Sequence, residues 1–297
     1  RILLNTNGRR LAAEPAFARQ LTEFRDVLDV YLQYDGPSAE ATVRLRGADV
    51  RAEKERALAV LGELGLKTIL VMTVCPENLA DVPAVLRKAA ETDVVSGVTY
   101  QAMAFCGRAG QVETASVETT ASKTTAAAEH RDDGADRVTM PDICDALATL
   151  PWLDRGDIFP LPCSHPYCTQ ISYLHCRPGR RPFPLVRLAP GATSAPALQS
   201  RLSYDASMYG ELLPLVRRGL CPMRLRWRDL PAALAAYRFF RRAETTRWRG
   251  EKLLRIVVKQ FMDRETFDVS RATRCCVGVL TGDGRIVPFC AYNCVHR

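Results

Sequence analysis

The chain has 297 residues with 41 Lys and Arg, 33 Asp and Glu and a formal net charge of +8, and 47% of its residues are hydrophobic. These values are typical of globular proteins and exclude a disordered, collagen-like or coiled-coil chain. No apolar run approaches the ~20 residues that cross a bilayer, and the first residues lack the layout of a secretion signal. We therefore expect a cytoplasmic protein that is not transmembrane.

Residues 1–110 alternate short β-rich runs with amphipathic helices, which is typical of a parallel α/β sheet. Apolar residues recur at helical spacing around Leu58 and Leu61, and again around Val85 and Leu86. The strands are predicted at residues 2–5, 27–33, 68–73 and 98–103. The predicted order of the first region is thus βαβαβαβ.

The rest of the chain divides into three segments. Residues 111–136 are rich in Ala, Thr, Ser and Glu and are predicted to be a linker or mobile loop. Residues 137–205 are predicted as a Cys-rich α+β segment, and residues 206–297 as a helical and β-hairpin segment. Within them we expect helices at 140–150, 208–218 and 230–242, strands at 170–174 and 183–188, and a hairpin turn at 281–284.

Eleven cysteines are more than packing requires in a reducing compartment, and nine of them lie at residue 144 or beyond. Cys163 and Cys168 flank a Pro-containing loop, and the predicted hairpin returns Cys290 to the side of Cys275 and Cys276. Thiolates that converge from such loops favour metal ligation, and these five residues are the candidate ligands. Burial as small apolar side chains is the alternative. Neither spacing is that of a zinc ribbon.

The positive charge is concentrated in residues 217–255, where 12 Lys and Arg face only three acidic residues. Basic and aromatic residues together are compatible with nucleic acid or an anionic substrate. The favoured interpretation is a solvated helix face, because Leu234, Tyr237 and Phe240 form an apolar stripe that leaves the arginines outside.

Four phrases of the sequence resemble one protein family. They are LLNTNGRRLA at 3–12, YLQYDG at 31–36, FPLPCSHPYC at 159–168 and the run from 255 to 293 that ends in CCVGVLTGDGRIVPFCAYN. The chain resembles a branch of radical S-adenosylmethionine (SAM) enzymes that includes archaeal tetraether lipid synthase and a pterin-methylating enzyme. The resemblance extends over nearly the whole chain.

The resemblance implies an α/β fold in which residues 1–110 form the later half of a partial (β/α)6 barrel, followed by α+β Cys-rich C-terminal segments. SAM would lie across the C-terminal ends of the strands, with polar contacts from Asn7, Gln33, Asp35 and Gln101. The five candidate cysteines would hold auxiliary 4Fe-4S clusters. The family's catalytic CxxxCxxC loop does not occur in this chain, and we expect that loop to lie upstream of Arg1 and the chain alone to be inactive.

The resemblance implies generation of a deoxyadenosyl radical that abstracts hydrogen from an unactivated carbon, with C–C bond formation or methylation as the outcome. The expected partners are a small-molecule or lipid substrate and an electron donor such as ferredoxin or flavodoxin, and nucleic acid is not expected. Two alternatives stay open, a zinc-stabilised nucleic-acid-binding module and an inactive truncated product.

Overall fold

The computed structural model describes residues 2–106, 137–161, 164–188, 227–242, 247–248 and 250–295. The predicted linker at 111–136, the predicted helix at 208–218, Cys163 and much of the basic stretch lie outside these residues. No helix in the described part of the chain is both long and apolar enough to cross a membrane.

Eleven strands occur in the described ranges. The first four are β1 (Ile2–Thr6), β2 (Leu28–Gln33), β3 (Thr68–Val74) and β4 (Val95–Ala102). They are followed by β5 (Phe159–Pro160), β6 (Thr169–Cys176), β7 (Phe183–Pro184), β8 (Arg247–Trp248), β9 (Glu251–Gln260), β10 (Gly278–Leu280) and β11 (Ile286–Pro288).

The helices between them cover the sheet and connect its strands. They are α1 (Arg9–Ala13), α2 (Pro15–Gln20), α3 (Ala39–Arg46), α4 (Arg51–Glu63), α5 (Val82–Glu91), α6 (Met140–Ala148), α7 (Leu230–Arg242), α8 (Val269–Thr273) and α9 (Phe289–Val295). Short 3-10 turns occupy Leu21–Phe24, Pro76–Asp81, Arg155–Asp157, Leu185–Leu188 and Trp227–Asp229.

Nine strands form one mixed sheet in the order β1-β2-β3-β4-β9-β6-β5, with β7 beside β6 and β8 beside β9. Strands β1 to β4 and β9 run parallel to one another, whereas β6 and β8 run antiparallel to β9. Strands β10 and β11 form a separate hairpin. The predicted α/β class with a largely parallel sheet is therefore confirmed, and the partial (β/α)6 barrel stays a prediction.

Local sequence explains why the elements begin and end where they do. The run TILVMTV of β3 is almost wholly buried, as expected for a parallel strand covered on both faces. The Ser38 side chain accepts a hydrogen bond from the Ala41 amide and begins α3, and Gly47 ends that helix with a φ of 75°. Thr139 and Asp142 form a capping box that begins α6.

The main hydrophobic core lies between the sheet and helices α4, α5 and α6, with Leu61, Leu70, Leu86 and Ile143 fully buried. A second core joins β6 and β9 to α7 through buried Phe239. A third, much smaller cluster contains Met262, Ala272 and Cys290, packed against Phe261, Phe267 and Phe289. Among the described residues, 261–295 are thus less well supported by apolar packing than the sheet.

Most predicted elements coincide with observed ones. The predicted helix at 230–242 and the hairpin around 281–284 are found as α7 and as β10 with β11. The strand predicted at 183–188 is wrong beyond Pro184, because Leu185–Leu188 forms a 3-10 turn. Pro182 and Pro184 lack the amide hydrogen that a longer ladder needs, which limits the pairing to two residues.

Candidate functional site

One edge of the sheet gathers most of the predicted site residues. The C-terminal ends of β1 to β4 and of β9 lie on this edge, because these strands are parallel. Strand β6 runs the other way, so its first residue, Thr169, pairs with Lys259 near the same edge. Ligand sites of parallel α/β sheets occur at the C-terminal ends of the strands.

The four residues predicted to contact SAM all lie at this edge. Asn7 follows β1 and is exposed, Gln33 ends β2, and Gln101 is the penultimate residue of β4. The side chain of Gln33 donates from Nε2 to Asn5 Oδ1 at 3.2 Å, and its Oε1 accepts from Arg46 Nη2 at 3.2 Å. The fold therefore places these side chains on a common edge, and their role towards SAM stays a prediction.

Asp35 is held by its neighbours inside the protein. Arg46 donates to both carboxylate oxygens, at 2.7 and 2.8 Å, and the Thr73 amide donates to Oδ1 at 3.1 Å. The Asp35 side chain is only 2% exposed, whereas that of Arg46 is 27% exposed. At this point the edge therefore presents the Arg46 guanidinium to solvent more than the Asp35 carboxylate.

A cleft of about 200 Å³ lies beside Asp35, with Tyr34, Pro37 and Lys54 among its lining residues. Burial lowers the pKa of Lys54, and its ammonium group donates to the Asn7 carbonyl oxygen. The cleft is smaller than the roughly 300 Å³ at which typical small-molecule pockets begin. It can accept part of a cofactor of the size of SAM but does not enclose one.

Five cysteines approach one another at the same edge, beyond the ends of β4 and β9, and we call them the cysteine group. Buried Cys290 is at its centre, since Cys168, Cys275 and Cys294 all influence the ionisation of its thiol electrostatically. The fifth member, Cys106, lies four residues after the end of β4, and its Sγ is 3.9 Å from Cys294 Sγ.

The backbone after β9 holds several of these sulfur atoms in place. The Met262 amide donates to Cys290 Sγ at 3.5 Å, and the Met262 carbonyl oxygen accepts from Cys294 Sγ at 3.3 Å and from Cys106 Sγ at 3.7 Å. Cys275 Sγ donates to the Val277 carbonyl oxygen at 3.1 Å. A single residue, Met262, therefore connects three members of the cysteine group.

A buried arginine faces the remaining cysteine. Arg271 of α8 is 8% exposed, and both its Nε and Nη2 lie 3.4 Å from Cys168 Sγ. Its Nη2 also donates to the carbonyl oxygens of Tyr167 and Gln260, at 3.1 and 3.0 Å. The Arg271 guanidinium therefore holds the Cys168 sulfur atom next to the ends of β6 and β9.

Burial raises the pKa of three cysteines of the group. The pKa of Cys106 rises to about 12, first because of burial and then because of Cys294, and burial also raises the pKa values of Cys290 and Cys294. Without a cation these side chains are therefore neutral thiols at pH 7. Binding of a metal would displace their protons, because thiolate is the form that ligates metals.

An ion pair supports the loops on which the cysteines lie. Asp263 is 1% exposed, and its Oδ2 accepts from Arg137 at 2.5 Å and from the Phe105 amide at 3.2 Å. Its Oδ1 accepts from the Thr266 hydroxyl at 2.8 Å. Asp263 thus joins the segment after β4, the start of the α6 region and the segment after β9.

Of the five predicted ligands, the structure brings together Cys168, Cys275 and Cys290. Cys276 is exposed and lies one residue after Cys275, and Cys163 is not among the described residues. The prediction omitted Cys106 and Cys294, yet their positions carried a signal. Cys106 closely follows a parallel strand, and Cys294 lies four residues after Cys290, on the same face of α9.

The donor set matches an iron–sulfur cluster in ligand type, because all members of the cysteine group are free cysteines. In the described ranges, no three His, Cys, Asp or Glu side chains are already spaced to hold one metal ion. A cluster of several irons keeps its thiolates farther apart than a single ion does, and cysteine is its usual ligand. The residues to hold it would be Cys168, Cys275, Cys290 and Cys294, with Cys106 as a fifth donor beside them.

Comparison with known proteins gives one informative similarity. No protein-family model matches the chain. The chain is 25% identical over 317 aligned positions to a 7,8-dihydro-6-hydroxymethylpterin dimethyltransferase of Methanocaldococcus jannaschii. The alignment includes 100% of this chain and 61% of that enzyme, so the chain spans less than two thirds of the relative's length. The protein is thus similar, along its whole described length, to a methyl-transferring enzyme.

Proposed function

We propose that this protein works as a radical SAM iron–sulfur enzyme that modifies an unactivated carbon atom, with methylation or C–C bond formation as the outcome. The observation that carries the proposal is the position of the cysteine group, at the sheet edge where the predicted SAM contacts Asn7, Gln33 and Gln101 also lie. The similarity to a pterin dimethyltransferase supports the methyl-transfer version of the proposal.

The cysteine group is the proposed site of an auxiliary 4Fe-4S cluster. When bound, such a cluster supplies one-electron chemistry, at a potential set by its surroundings. The protein contributes the ligands, the Met262 amide that donates to Cys290 Sγ, and the Arg271 guanidinium next to Cys168 Sγ. Hydrogen bonds and positive charge at the sulfur atoms stabilise the reduced state of a cluster.

Apolar side chains and polar edge residues have different tasks in this proposal. Phe261 and Phe289 pack with ring centroids 5.0 Å apart next to Cys290, where they would limit the access of water to that sulfur atom. Gln33, Gln101 and Asn7 would orient SAM through hydrogen bonds. Arg46, fixed by Asp35, would offer a cation to the SAM carboxylate.

The substrate and the electron donor are further parts of the proposal. The relative's name makes 7,8-dihydro-6-hydroxymethylpterin the first small molecule to test, and a lipid chain is the other expected class. A one-electron carrier such as ferredoxin or flavodoxin would supply the reducing equivalents. A pterin would need a compact polar pocket, whereas a lipid would need a long apolar tunnel.

The test is anaerobic reconstitution of the purified chain with iron and sulfide, followed by an absorption spectrum and by iron and zinc analysis. We expect a brown protein with a broad thiolate-to-iron band near 400 nm. Because the chain has no CxxxCxxC sequence, this experiment addresses the cysteine group and not turnover. Single Cys168→Ala, Cys275→Ala, Cys290→Ala and Cys294→Ala variants should each lose most of the iron.

The matched control is Cys176→Ala, which removes a buried cysteine at the far end of β6. That variant should bind as much iron as the unchanged protein. A colourless protein with stoichiometric zinc would instead support the zinc-stabilised nucleic-acid-binding module. A protein that binds neither metal, or that keeps its iron in all four ligand variants, would overturn the proposal.

A further inference from the structure

A second cleft lies at the opposite edge of the sheet from the cysteine group. It has a volume of about 470 Å³ and is formed by the C-terminal turn of α5, the segment 176–182 after β6 and the start of β9. Strand pairing places Cys176 beside Lys252, at the N-terminal end of β9. Seven residues of β6, 169–175, separate Cys176 of this cleft from Cys168, so the cleft is distinct from the proposed iron–sulfur site.

Positive charge dominates the lining of this cleft. It contains five cationic residues and two carboxylates, Glu91 and Asp93, both of which are exposed. The cations are Arg87, Arg177, Arg180, Arg181 and Lys252. Three of them come from the single turn RPGRR, which joins β6 to β7. The excess of cations in a concave site attracts anions.

In the part of the chain that the structure describes, Arg177 brings an unused hydrogen-bond donor to this cleft. Arg177 is half-buried, and its Nε is fully buried without any hydrogen-bond partner there. A buried donor without an acceptor is destabilising. An anion bound in the cleft would offset the positive charge of the Arg177 guanidinium, to which this donor belongs.

Lys252 supports the wall of the cleft and is not one of the groups that would bind a ligand. Its ammonium group donates to the carbonyl oxygens of Ala89, Thr92 and Val95, at 2.7, 2.6 and 3.1 Å. Lys252 is 5% exposed and therefore fixes the wall between α5, β4 and β9. It adds a positive charge beneath the cleft, while the arginine side chains provide the donors that a ligand can reach.

The remaining lining favours an organic phosphate. Guanidinium groups donate pairs of parallel hydrogen bonds to phosphate oxygens. Half-buried Trp152, together with Pro178 and Pro182, adds an apolar wall that inorganic phosphate would not use. The volume is in the range of small-molecule pockets, roughly 300–1,000 Å³. We propose that this cleft binds the phosphate group of a phosphorylated small molecule.

Isothermal titration calorimetry with inorganic pyrophosphate tests the proposal on the full chain. We expect saturable binding that weakens with added salt, and a loss of affinity of at least tenfold in Arg177→Gln and in Arg180→Gln. The affinity of Arg180→Lys for pyrophosphate should lie between those of the unchanged chain and Arg180→Gln, since lysine keeps the charge but loses the paired donors. The control Arg56→Gln removes an exposed arginine of α4 and should bind as the unchanged chain does.

Two further results decide the source of the phosphate. A soluble phosphate ester such as ribose 5-phosphate should compete with pyrophosphate, whereas phosphatidylglycerol vesicles should bind no more strongly than phosphatidylcholine vesicles. Preferential vesicle binding that Arg180→Gln abolishes would assign the cleft to a lipid headgroup and overturn the small-molecule proposal.

Equal pyrophosphate affinity in the Arg177→Gln, Arg180→Gln double variant and the unchanged chain would overturn the site itself. Because Arg180 is exposed, the Arg180→Gln result does not depend on the folding of the Arg177 variant.

Discussion

The parallel strands β1 to β4 and the region that contains the cysteine group are stabilised in different ways. Leu70, Met72 and Leu86 are fully excluded from solvent within the large core. The region around Cys290 has a small apolar cluster, and its order depends on single polar groups such as Met262 N, Asp263 and Arg271. The difference teaches that apolar packing supports the sheet, whereas the cysteine-bearing region depends more on single polar contacts, so the proposed cluster would add stability there.

The largest expected effect is from Leu70→Ala in β3, which opens a cavity in the main core. Deletion of a fully buried leucine side chain costs about 2–5 kcal/mol of unfolding free energy. Ile286→Ala in β11 is the control, because that side chain is 75% exposed and its loss should change stability by less than about 0.5 kcal/mol. Urea denaturation, monitored by circular dichroism, compares the stability of these two variants. Equal midpoints would contradict the assignment of the sheet as the stabilising region.

Removal of iron from the reconstituted protein should affect the region that contains the cysteine group and should leave the sheet unchanged. A ligand present at 100 times its dissociation constant stabilises the state that binds it by about 2.7 kcal/mol. We expect amide hydrogen exchange to become faster in residues 261–295 after chelation and to stay unchanged in Thr68–Val74. Mass spectrometry of the exchanged peptides gives both values in one experiment. Uniform acceleration over both regions would show that the two are not energetically separate.

Arg271→Gln tests a single polar group of the second region without any metal. The substitution removes the donor that the Tyr167 and Gln260 carbonyl oxygens share, and a lost buried hydrogen bond costs about 1–3 kcal/mol. Arg274→Gln, three residues further on and exposed, is the matched control. Limited proteolysis should cleave the Arg271→Gln chain faster near residues 261–275. The same cleavage rate in both variants would refute the role given to Arg271.

The smallest expected effect is a pH dependence from His175 of β6, whose side chain is fully buried and lies against Phe239, with ring centroids 4.7 Å apart. Burial lowers the pKa of His175, although Glu251, 2.6 Å from Nε2, acts in the opposite direction. Nδ1 is buried without a hydrogen-bond partner in the described part, so a second proton would have no acceptor.

The sign of this effect follows from the lowered pKa. The unfolded chain takes up a proton as the pH falls through about 6.5, whereas the folded chain does not. The contribution of His175 is therefore fully present above that pH and decreases as the pH falls below it. The difference in urea midpoint between the unchanged chain and His175→Gln should shrink from pH 8 to pH 5.5. A difference that is constant or grows would contradict this.

The sheet could be predicted from sequence because its signals are local. The run TILVMTV, the Ser38 cap and Gly47 each determine structure within a few residues. The grouping of the cysteines was predicted only in part, because Cys106 and Cys294 are 188 positions apart in the chain and meet only after β4 and β9 pair. The arginine cleft at the other edge was not predicted, since its walls come from α5, the turn after β6 and the start of β9.

The position of β9 within the sheet has a consequence for synthesis of the protein on the ribosome. Glu251–Gln260 lies between β4 and β6, although these strands are made at least 75 residues earlier. Until residue 260 has left the ribosome, β4 and β6 each have an unpaired edge, and such edges invite association with other chains. We expect nascent chains that end before residue 251 to be captured by chaperones, and chains extended past residue 260 to be released from them.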